Sequence, residues 1–61
     1  MWTVTSYKDM TVEHLGDLAT EDDLARFRSA VERVLARFGG DENAATDYVW
    51  NDGEWLACAS A

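Results

Sequence analysis

His14 and Cys58 are the side chains best equipped for chemistry, one as proton carrier or metal ligand, the other as nucleophile or ligand. They stand 44 positions apart. A zinc site needs a fuller set of ligands. A Cys–His nucleophile pair needs a third group to orient the imidazole and donors for an oxyanion, and no motif supplies either. The acidic run Asn51-Asp52-Gly53-Glu54 has the residue types of a calcium loop without its alternating acids. Carboxylates are plentiful, but acid–base catalysis needs an enclosed site that shifts their pKa values. A 61-residue chain buries too little to build one. The sequence therefore predicts a non-enzyme with no catalytic residue, metal or cofactor.

The chemistry that remains is charge. Asp+Glu 12 against Lys+Arg 5 give a net −7, and it is unevenly spread. The segment Glu21–Phe38 is neutral, holding Glu21, Asp22, Asp23 and Glu32 against Arg26, Arg28, Arg33 and Arg37. From Asp41 to Ala61 there are five acids (Asp41, Glu42, Asp47, Asp52 and Glu54) and no base. A protein so charged repels nucleic acid and anionic membrane and attracts basic surfaces. Duplex DNA carries one negative charge per roughly 1.7 Å of axis. Alternate residues of a strand lie roughly 6.6 Å apart on one face, so Asp52 and Glu54 in a strand would imitate a phosphate ladder. The same acids also serve plain solubility or tolerance of high salt. Trp50 and Trp55 lie among them, and an indole ringed by acids is a suitable anchor for a protein partner.

These residues need a scaffold, and its clearest part is a helix from Glu21 to Phe38. Leu24, Phe27, Val31, Val34, Leu35 and Phe38 fall on one stripe. Thr20 is its N-cap, Asp23 completes a short capping box, and Gly39-Gly40 ends it. Arg26, Arg33 and Arg37 share the solvated face, with Asp22 placed to pair with Arg26 one turn on. Before it, Asp9 or Thr11 caps one or two helical turns through Val12, Leu15 and Leu18. Trp2 and Val4 alternate with Thr3 and Thr5 as in a strand. Tyr48-Val49-Trp50 and Trp55-Leu56-Ala57-Cys58 flank Asp52-Gly53, a hairpin signal that sets Trp50 opposite Trp55. The competing pattern is a helix through residues 42–49 capped by Asp41, of which a turn near Asn43 to Thr46 is retained. The expected fold is α+β, a single domain over residues 1–61: a small antiparallel β-α-α-β-β sheet with one main amphipathic helix packed on it.

In size, acidity and lack of an active site the chain resembles the small inhibitors that phages and mobile elements direct against host defence nucleases. These are the anti-CRISPR proteins and the DNA-mimicking anti-restriction proteins. The resemblance is one of composition, with no shared motif, so no residue role is carried over from it. It implies a stoichiometric inhibitor that covers the basic nucleic-acid-binding surface of a nuclease or effector complex; a monomer is expected over a dimer. Asp41, Glu42, Asp47, Asp52 and Glu54 are the expected contact residues, with Trp50 or Trp55 as anchor. The alternative is an antitoxin-like regulatory module, a homodimer or heteromer joined through apolar or Trp surface. One cysteine, no basic apolar leader and no long apolar run point to the cytosol.

Overall fold

The computed structural model describes residues 5–16, 19–52 and 55. In chain order these form a 3-10 turn at Tyr7–Asp9, α1 (Val12–Leu15), α2 (Glu21–Leu35), a second 3-10 turn at Ala36–Phe38 and α3 (Glu42–Asp52). The described residues contain no strand, and the expected α+β sheet is replaced by a small helical bundle. The strand expected at Trp2 and Val4 lies outside the described residues, as do Leu18, Gly53, Glu54, Leu56 and Cys58.

The middle of the chain folds as its pattern dictates. The Thr20 hydroxyl accepts the Asp23 N–H at 3.2 Å, and the Asp23 carboxylate accepts the Thr20 N–H at 2.9 Å. This reciprocal box satisfies two of the donors a helix start leaves unpaired. The pairing expected between Asp22 and Arg26 is not made. Asp23 has spent Oδ2 on the cap, and its Oδ1 lies 3.6 Å from the Arg26 guanidinium instead. At the far end Gly39 is left-handed, with φ 65°. Its N–H donates to the Ala36 carbonyl and that of Gly40 to the Leu35 carbonyl, the paired bonds of a Schellman stop. Phe27, Val31 and Val34 are buried, while Leu24, Leu35 and Phe38 flank them half-buried.

α3 is the principal correction. Where a hairpin was expected over residues 48–58, helix runs from Glu42 through Asp52, far beyond the turn retained at Asn43–Thr46. The cause begins at the Schellman stop, which delivers Asp41 to the N-cap position. Its Oδ1 accepts the Ala44 N–H at 3.2 Å, and its carbonyl accepts the Ala45 N–H at 3.0 Å. Alanines then favour helix. Ala45, Thr46 and Val49 form one strip with no solvent exposure, and α2 is the main partner of α3. The Thr46 hydroxyl, buried in this strip, donates to the Glu42 carbonyl at 2.6 Å, so this hydroxyl is satisfied. A two-stranded hairpin would have been marginal by itself. The contact that made it attractive survives: Trp50 and Trp55 stack with centroids 6.1 Å apart and planes 18° apart. Phe27 of α2 meets both indoles edge-on, at 6.2 and 5.5 Å.

The segment before α1 binds the two long helices. Tyr7 is buried and donates its hydroxyl to Glu32 of α2 at 2.6 Å. Lys8 lies 3.7 Å from Glu42 of α3. Arg28 of α2 donates to the Met10 carbonyl at 2.7 Å and, longer, to that of Lys8. The carboxylate receiving the Tyr7 proton, aided by burial, pushes the phenol up to about 12.

Candidate functional site

A helix places acids differently from a strand. At about 100° per residue, Glu42, Asp47 and Asp52 are each turned roughly 140° from the one before. They cannot form one row. Glu42 pairs with Lys8 at 3.7 Å. Asp41 is exposed, but one of its oxygens caps α3. The phosphate-like spacing expected of Asp52 and Glu54 loses its basis, because Asp52 belongs to a helix and Glu54 lies outside the described residues. Neither Trp offers an exposed anchor. Trp55 is buried, and Trp50 is half-buried against Phe27.

Two of the expected acids lie on the rim of one depression. Asp47 and Asp52 border an open depression of about 550 Å³ lined also by Phe38, Ala44, Tyr48 and Asn51. Residues 44, 47, 48, 51 and 52 have the helical spacing i, i+3, i+4, i+7, i+8 and make up one face of α3, from which Tyr48 still packs against the edge of the core. Asp52 is exposed and Asp47 half-buried, its Oδ1 accepting from the Asn51 amide at 2.9 Å. Between them Tyr48 packs on Phe38, the rings tilted at 48° with centroids 5.3 Å apart. The Arg37 guanidinium lies 5.6 Å from the Tyr48 centroid, within cation–π range.

Sequence reasoning missed Phe38 and Tyr48. Phe38 is the last member of the α2 stripe, and at the end of a helix such a residue reaches the rim of the core. Tyr48 was assigned to a strand. The signal that finds it is its pairing with Ala44 one turn earlier, which the helical pattern makes explicit.

Elsewhere the bases are occupied. Lys8 pairs with Glu42, Arg26 with Asp23, Arg28 with two carbonyls and Arg37 with Tyr48, and Arg33 also has a partner. α3 contains no base. His14 is exposed, its Nδ1 3.0 Å from the Thr11 hydroxyl. Among the described residues no group of His, Cys, Asp and Glu is arranged to hold a metal. No helix among them is long and apolar enough to cross a membrane. No protein-family model, curated protein or solved structure matches the chain.

Proposed function

We propose that the chain is a cytosolic, non-enzymatic acidic interaction protein. It acts as a stoichiometric inhibitor that covers the basic nucleic-acid-binding surface of a host defence protein, as the anti-CRISPR and DNA-mimic inhibitors do. The observation that carries this reading is the outer face of α3. There Asp47 and Asp52 border the Phe38–Tyr48 pair on a helix without a base. Aromatic area gives a partner something to bury, and the carboxylates select a basic one and speed its approach. The contact is thus a patch of two acids and two rings. Asp41 and Glu42 contribute field from the start of α3. Burial of Trp55 and half-burial of Trp50 weigh against the antitoxin-like alternative joined through Trp surface.

The test is capture from host lysate by the immobilised protein, followed by elution with salt or with duplex DNA. A target that duplex DNA displaces, and that D47K/D52K fails to capture while circular dichroism stays helical, supports the proposal. Capture that is indifferent to salt and to both reversals overturns it. A dimer persisting in high salt by sedimentation would favour the regulatory module.

A further inference from the structure

Arg37 shows what the α3 face accepts. Its guanidinium sits over Tyr48, on a ring already backed by Phe38, beside a depression bordered by Asp47 and Asp52. A planar, weakly hydrated guanidinium gains from an aromatic face while forking its N–H groups toward carboxylates. The compact, strongly hydrated ammonium of lysine gains less from the same surroundings. We infer that this face is an arginine-selective docking site, in which an arginine of the partner protein takes over the Tyr48 ring from Arg37 and its N–H groups meet Asp47 and Asp52. The inference rests on the acidic-interaction reading and adds the side chain it recognises. Charge complementarity identifies the occupant: the helix facing it has acids and no base. Arg37 then has a second effect. By occupying the ring it competes with the partner, so the resident guanidinium lowers affinity for the incoming one.

Fluorescein-labelled oligo-arginine and oligo-lysine peptides of equal length and charge, titrated by anisotropy, test this directly. Wild-type protein is expected to bind the arginine peptide about two- to five-fold more tightly, the range of an exposed cation–π contact. Tyr48→Phe keeps the preference, and Tyr48→Leu reduces it to near parity while both peptides still bind. Arg37→Gln strengthens binding of both peptides by removing a positive charge, but it widens the arginine-to-lysine ratio by about twofold as the ring is vacated. Circular dichroism of each variant checks the fold. Should Tyr48→Leu lose its helix, the ratio in Arg37→Gln decides, and an unchanged ratio there overturns the inference. Equal binding of the two peptides by wild-type protein, or a preference that survives in a folded Tyr48→Leu, also overturns it and leaves the acidic reading standing. Binding of neither peptide at low salt removes both.

Discussion

α2 and α3 pack on each other, yet they are opposites. α2 comes close to balancing its charges, with four acids against three arginines, is capped by side chains and glycines at its two ends, and turns a continuous apolar stripe to the core. α3 has three acids, no base and a single Asp cap, and its core strip is narrow: Ala45, Thr46 and Val49. The first carries its instructions locally. The second is held by what surrounds it: the Asp41 carboxylate, the small-residue strip against α2 and the Trp pair against Phe27. A helix freed from balancing its own charges can keep them for a partner, and one stabilised mainly by its neighbours is the more easily reshaped on its outer face.

The contrast can be broken where the two helices meet. Phe27→Ala removes the fully buried ring that both indoles rest on. It is expected to cost about 3–5 kcal/mol, enough to unfold a domain of this size, whose total stability is a few kcal/mol. Urea melts followed by circular dichroism will show no cooperative transition. The next effect compares the caps. Thr20→Ala should cost about 1–2 kcal/mol, because the hydroxyl that accepts the Asp23 N–H is lost while the backbone N–H of residue 20 can still donate to the Asp23 carboxylate. Asp41→Ala should cost about 0.5–1 kcal/mol, since an exposed single bond is lost. The difference in urea midpoints measures how unequally the helices are started.

A gentler probe uses pH. The Tyr7 phenol is held near 12 in the folded protein, against about 10 in an unfolded chain. The folded state therefore holds this proton more tightly. The contribution is whole below pH about 10 and disappears as pH rises from there through about 12. Tyr7→Phe should remove this part of the alkaline loss, read as a flatter dependence of melting temperature on pH. Smallest of all is Lys8→Ala. Its ion pair with Glu42 is 3.7 Å long and well exposed, so the loss should stay below about 1 kcal/mol and shrink further in salt.

The same contrast governs what could be read from the sequence. Around Thr20, Asp23, the stripe from Leu24 to Phe38 and Gly39-Gly40, every signal acts within a few residues of its effect, and α2 with its start and stop was legible. The helix of Val12 and Leu15 was legible as one or two turns, and it spans Val12–Leu15. α3 was not, because Asp-Gly after Tyr48-Val49-Trp50 is a genuine local hairpin signal that tertiary packing overrides. Both the expected hairpin and the observed fold put Trp50 beside Trp55, so that contact could not choose between them. What chose was the fit of Ala45, Thr46 and Val49 to α2, a property of two segments at once. For the candidate site, the acidity of residues 41–54 was plain, and Asp47 and Asp52 line one depression on α3. The grouping was not plain: a change of period from two to 3.6 residues rotates Glu42 away and brings in Tyr48 and Phe38.

The Trp50–Trp55 stack also has an optical consequence. Two indoles near-parallel at 6.1 Å are close enough for their ultraviolet transitions to mix. The folded chain should therefore show an exciton couplet that neither indole produces separately. It gives the protein a built-in gauge of its own folding.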